Sequence, residues 1–125
     1  MKKKTDKTMV FCDTEAEYAQ AMMEFLKKCR NLPWELHTYT NVQDLIREEK
    51  TEIEMLVIAE SVYNGEIQTL HPKQLVILSE SGIMQWENVI YVDKYQAAEE
   101  VLKQLLGVYM EVAEVQMPRL CTNRK

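Results

Sequence analysis

Two rhythms of apolar and polar residues alternate along this chain: short unbroken apolar runs, and longer stretches with a helical period. Met9-Val10-Phe11-Cys12 is continuously apolar and predicts a first strand. A helix is expected from about Glu15 to Arg30, where Tyr18, Ala19, Met22, Phe25, Leu26 and Cys29 form one stripe opposite Glu17, Gln20, Glu24, Lys27 and Lys28. Its start carries a capping-box pattern, with Thr14 bonding the amide of Glu17 and the Glu17 carboxylate reaching back. After Pro33 the pattern changes to alternation: Trp34, Leu36 and Thr38 on one face, Glu35, His37 and Tyr39 on the other, as on a sheet edge with one solvated side. Asn41 is placed to cap a short second helix running to Lys50, with Val42, Leu45 and Ile46 turned inward. "MLVIA" (55–59), "QLVIL" (74–78) and "VIYV" (89–92) are apolar without alternation, as strands covered on both faces require. A last helix is expected from near Gln96, past Gly107, towards Ala113.

Strands interleaved with helices in this way predict an α/β fold, a doubly wound five-stranded parallel sheet. The alternating second strand belongs at an edge and strands one and three at the centre, which gives the order 2-1-3-4-5. The connections 60–73 and 79–88 are too short for full helices and contain Gly65, Pro72 and Gly82. The third helix is therefore expected to be short or irregular and the fourth to be nearly absent. Residues 1–113 read as one domain and 114–125 as a linker or tail, since "MPRLCTNRK" resembles a passage into a further domain more than a natural stop.

Composition narrows the function classes. A chain of 125 residues with 46% hydrophobic and 28% charged residues has the ordinary balance of one globular domain. The net charge of −5 argues against nucleic acid as the main partner, because phosphate binding needs a clustered basic face. Lys2, Lys3, Lys4 and Lys7, and Arg119, Arg124 and Lys125, gather at the two ends and read as solvated tails. No apolar run reaches the ~18 residues of a membrane span, so no membrane insertion is expected. Three widely spaced cysteines, Cys12, Cys29 and Cys121, form neither a disulfide framework nor a metal pattern, which fits a reducing cytoplasm.

Ligands of such a fold sit at the carboxyl ends of the strands, near the switch between strands one and three. Asp13, Thr14 and Glu15 follow strand one, Ala59, Glu60 and Ser61 end strand three, Ser79 and Glu80 follow strand four, and Asp93 and Lys94 follow strand five. Over roughly residues 8 to 106 this arrangement resembles the receiver domain of two-component response regulators. The resemblance implies a flavodoxin-like fold, an acidic pair for magnesium after strand one, an acceptor aspartate after strand three, a Ser or Thr after strand four and a Lys after strand five. Ser79 in "VILSES" and Lys94 in "IYVDK" match in type and place, and Asp13 matches one acidic position. The second acidic position is Thr14, or slips onto Glu15; the acceptor is Ala59 or Glu60, according to a one-residue choice of alignment; the Pro expected after the Lys is Tyr95. This degenerate site lacks what phosphoryl transfer and an octahedral magnesium ion need. Glu60 has three readings: a permanent stand-in for a phosphate, a solvated strand-end carboxylate, or a structural partner of Lys94. Asp13, Thr14 and Glu15 also read as acids at the positive end of a helix.

Other chemistry finds little support. Cys12 lacks the glycine-rich or arginine-closed loop of a phosphate-handling nucleophile and reads as a buried structural thiol. His37 and His71 are isolated and read as surface residues. With only three glycines, none after strand one, no flavin or nucleotide site is expected. No enzyme activity and no cofactor are therefore assigned to the chain. The last helix is more apolar than one buried face requires: Ala98, Val101, Leu102, Leu105 and Leu106 suffice for a core, and Val108, Tyr109, Met110, Val112, Ala113, Val115 and Met117 extend beyond it. Packing on its own sheet, on a second copy or on a following domain all remain open, and Val101, Leu105, Val108, Tyr109 and Val112 are the interface candidates of a homodimer. The eroded site and shortened helices also resemble the amino-terminal domain of TadZ/CpaE-like proteins. That likeness implies a following MinD/ParA-type ATPase domain and a role in positioning a pilus-assembly or secretion apparatus. A working receiver with Asp13 or Glu60 as unorthodox acceptor is the alternative.

Overall fold

A computed structural model describes residues 7–29, 32–49, 52–82, 86 and 89–113, with side chains up to 110. In chain order they form β1 (Thr8–Cys12), α1 (Ala16–Lys28), β2 (Glu35–Tyr39), α2 (Val42–Glu48), β3 (Met55–Ala59), a 3-10 helix (Gly65–Leu70), β4 (Gln74–Ser79), β5 (Ile90–Asp93) and α3 (Ala98–Ala113). The five strands make a single sheet in the order β2-β1-β3-β4-β5, and every pairing is parallel. The fold is flavodoxin-like, as the alternation of runs and periods predicts.

Because successive side chains leave a strand on opposite faces, each apolar run feeds two cores. Met9, Phe11, Met55, Val57, Val76, Leu78 and Val92 face α1 and α3 and pack with Ala19, Met22, Leu26, Val101 and Leu105. Val10, Cys12, Leu56, Ile58 and Ile77 face the other way, towards Leu45 of α2 and Ile67 of the 3-10 helix. β2, with one neighbour only, is half-covered and retains the exposed Glu35 and Thr38.

The short connections behave as their lengths demand. A 3-10 helix replaces the third helix, and no described residue between β4 and β5 is helical. Where a helix would lie, Trp86 is pinned instead: its amide donates to Tyr91 Oη at 2.8 Å, that hydroxyl donates to the Trp86 carbonyl at 3.0 Å, and its indole meets Tyr63 edge-on with centroids 4.8 Å apart.

Several element ends differ from expectation. The capping box does not form: Glu15 is the N-cap of α1, without a side-chain cap, and its amide is taken by Asp13 Oδ1 at 2.9 Å. The Asp13 carboxylate, fixed at the end of β1, reaches the helix start before Thr14 does. α2 keeps its Asn41 cap, which accepts from the amides of Gln43 and Asp44, but ends at Glu48 because the side chain of Glu49 turns inward to Tyr39 and His37. α3 begins at Ala98, since Gln96 Nε2 donates back to the Asp93 carbonyl at 2.9 Å.

Two of the interface candidates are corrected. Val101 and Leu105 are fully buried in the core beneath α3, so they are not available to a partner. Val108 and Tyr109 are half-buried on the same core, and Tyr109 meets Trp34 edge-on at 5.3 Å. Val112 and the segment 114–125 lie outside the described side chains.

Candidate functional site

The carboxyl edge of the sheet is organised around Lys94. β5 runs one residue past its last strand position, with the Lys94 amide donating to the Ser79 carbonyl at 3.1 Å. Extended alternation then sends Lys94 to the same face as Val92, under the amino end of α1. Its side chain is wholly buried. The ammonium Nζ lies 2.9 Å from Asp13 Oδ2 and 3.0 Å from Glu80 Oε2, and it also donates to Glu15. Two aromatic faces complete the enclosure, with centroids 4.8 Å (Tyr18) and 5.6 Å (Tyr95) away. Tyr18 further donates its hydroxyl to the Lys94 carbonyl at 3.2 Å.

Such burial would ordinarily favour the neutral amine. Here desolvation does pull the ammonium down, but hydrogen bonds to Glu15, Asp13 and Glu80 and the charge of Asp13 outweigh it and hold Lys94 above its ordinary value of 10.5. Lys94 is a permanent cation held by protein carboxylates. Asp13, equally buried, accepts from the Glu15 amide through Oδ1 and faces Lys94 through Oδ2.

Glu60 does not meet Lys94. It shares its side of the sheet with Ile58, on the α2 face, and its carboxylate accepts from the amides of Glu80 (2.7 Å) and Ser81 (3.0 Å) and from Ser81 Oγ (2.8 Å). The Ser81 amide, the Glu80 amide and the Ser81 hydroxyl together hold its carboxyl below the usual carboxylate range. Glu80 makes the reverse connection: it accepts from the Ser61 amide at 2.9 Å while also binding Lys94. The two glutamates exchange places, each fastening the other's loop. Ala59 occupies the strand position on the face of Val57, towards Lys94, and is fully buried. Ser79 Oγ accepts from the amide of Gly82, which needs the positive φ of 84° there, so its hydroxyl serves the turn. Thr14 is exposed and engages none of these groups.

This arrangement offers little reactive chemistry. Burial, assisted by the Asp13 charge, pushes the Cys12 thiol up to about 12, which leaves it a structural residue. Among the described residues, no three His, Cys, Asp or Glu side chains are disposed to hold a metal ion. Asp13, Glu15 and Glu80 do converge, but upon an ammonium. A depression is lined by Glu80 itself with Ser79, Ser81, Gly82, Tyr91 and Asp93, and a larger one lies at the opposite end of the sheet between the 3-10 helix and β5.

The sequence placed Asp13, Glu15, Ser79, Glu80 and Lys94 at this edge, and the structure brings Asp13, Glu15, Glu80 and Lys94 into contact. Sequence reasoning offered Glu60 rather than Glu80 as the partner of Lys94, and it did not foresee Tyr18 as the ring beside the ammonium. Alternation held the signal for Glu80, which follows the parity of Val76 and Leu78 towards the Lys94 face. Nothing comparable distinguished Tyr18 from the rest of its apolar stripe. His37, read as a surface residue, is instead half-buried and bonded to Glu49, while His71 is exposed.

No family model matches the chain, and no curated protein matches it. Among the described residues, no helix is long and apolar enough to cross a membrane.

Proposed function

We propose that this chain is a phosphorylation-independent, receiver-like module that acts through protein contacts. One observation carries the reading: Lys94, the cation that a receiver would offer to a phosphoryl group, is fully buried and bound by Asp13, Glu15 and Glu80. Ala59 supplies only a methyl group where an acceptor would be needed, and Glu60 is committed to the β4–β5 loop. The carboxyl edge is filled by the protein's own charges, so contact surfaces remain as the means of action. The module would serve in a reducing cytoplasm, where Cys12 and Cys29 stay as free thiols.

The resemblance to TadZ/CpaE-like proteins gives the reading its biological setting, a regulatory or localisation domain of a MinD/ParA-like ATPase in pilus assembly or secretion. In that setting any ATPase activity belongs to a domain outside this sequence. Self-association through α3 would use the parts of Val108 and Tyr109 that the core leaves uncovered, and sedimentation at tens of micromolar showing monomer alone would remove it. The chemical part is tested with acetyl phosphate and magnesium followed by intact-mass measurement. The unmodified mass is expected. A phosphoryl adduct mapped to Asp13 or Glu60 would replace this reading with that of a working receiver.

A further inference from the structure

The larger depression, at the amino ends of the strands, is a cavity of about 630 Å³. Strand register opens it. β4 begins at Gln74, whereas its first partner on β5 is Ile90, opposite Val76, so β4 projects past β5 by Gln74 and Leu75. The neighbouring cover is short as well. The 3-10 helix ends at Leu70, followed by His71 in the left-handed region (φ 49°), whose amide donates to the Gln68 carbonyl at 3.1 Å. Pro72, without an N–H, then rules out continuation. A notch is left between this helix and the starts of β4 and β5.

The lining is graded in burial and in chemistry. Ile67 is fully buried, and Leu75, Val89 and Ile90 are half-buried and add apolar surface. His71 and Lys73 are exposed and form the polar rim. Among the described residues that line the notch there is no Asp or Glu, although the chain as a whole carries a net charge of −5. Lys73 does have a carboxylate nearby, Glu54 Oε1 at 3.6 Å from its Nζ. That separation exceeds a hydrogen bond, and the Lys73 side chain is 51% exposed, so Glu54 does not use up its three N–H donors.

We propose that this notch binds a small amphipathic carboxylate, its hydrocarbon part against Ile67, Leu75, Val89 and Ile90 and its carboxylate at Lys73 and His71. The volume is that of a small-molecule site, and the division into apolar floor and few polar groups is how such sites fix orientation. Hydrocarbon laid on the floor removes apolar surface from water on both partners. A carboxylate at the floor would lose its hydration without return, so its place is the rim, where the Lys73 ammonium offers a charge-assisted bond. A cationic head would meet Lys73 and no carboxylate of the described lining. A neutral molecule of the same shape keeps the apolar contact and forgoes the charge. The notch shares no residue with the Lys94 cluster, so it stands whether or not the carboxyl edge is filled.

The test is an amide-detected NMR titration of the full chain at low salt with three probes of one shape: hexanoate, hexan-1-ol and hexylamine. Hexanoate is expected to give saturable shifts at Leu75, Val89 and Ile90 while the β1 amides stay in place. Hexanol should bind more weakly and hexylamine most weakly. Two substitutions at half-buried and exposed positions leave the core intact: Gln74→Glu adds a carboxylate to the lining, and Lys73→Gln removes the cation. Each should weaken hexanoate by about two- to fivefold and leave hexanol unchanged. The proposal is overturned by hexanoate that gives no saturable shift at these residues, or that binds no more tightly than hexanol. A hexanoate affinity that neither substitution alters overturns it as well.

Discussion

Two sites among the described residues set a buried carboxylate beside a basic side chain, and they differ in the base chosen. At the carboxyl edge Asp13 is matched by Lys94, itself wholly buried and shared with Glu15 and Glu80. At the β2 edge Glu49 is matched by His37, whose side chain is 29% exposed. Lysine keeps its charge across the physiological range, and three carboxylates raise it further, so the first cluster is a fixed lock. Histidine can give up its proton within the physiological range, so its share in the second site depends on pH. The carboxyl edge is thus the less adjustable of the two.

The sharpest way to break this contrast is to remove the lysine. Lys94→Met leaves Asp13 buried without its cation and sets it against Glu15 and Glu80, so a loss of about 3–5 kcal/mol is expected, read from urea unfolding at constant m. A loss under about 1 kcal/mol would mean that Lys94 is not the lock described here. Next in size is His37→Gln, with an expected cost of about 1–2 kcal/mol below pH 6.5 that shrinks as pH rises through the His37 midpoint. Equal cost at both ends of that range would make the His37–Glu49 contact a plain hydrogen bond. The smallest effect belongs to Glu15→Gln. Its side chain is 58% exposed, and the screened pair is worth no more than about 1 kcal/mol, most visible at low salt.

How much of this was readable in advance depended on whether a single local rule decided the outcome. Strand positions, parallel pairing and the order of the sheet followed from apolar runs such as "MLVIA", because burial on both faces has few other solutions. The lone alternating segment marked β2 as an edge for the same reason. The lysine cluster was only half legible. Asp13 and Lys94 are fixed by strand ends, but the choice between Glu60 and Glu80 as partner depends on which face each leaves. Glu60 follows Ile58 to the α2 face and Glu80 follows Leu78 to the lysine face, a distinction available from parity once strand ends are known to one residue. The Glu49 contacts could not be read locally, since they join a residue past a helix end to side chains on a strand ten and twelve positions earlier. The capping box failed for a related reason: a tertiary constraint on Asp13 displaced a local preference of Thr14.

The central claim, that Lys94 is already occupied by the protein's own carboxylates, is most directly tested on its ammonium group. Proton–nitrogen correlation of the lysine side chains should show one Nζ resonance protected from solvent exchange, absent in Lys94→Met, and unmoved by magnesium with beryllofluoride. A saturable shift of that resonance on adding the phosphoryl analogue would show that the lysine is free to meet a ligand, and the account of a filled edge would be wrong.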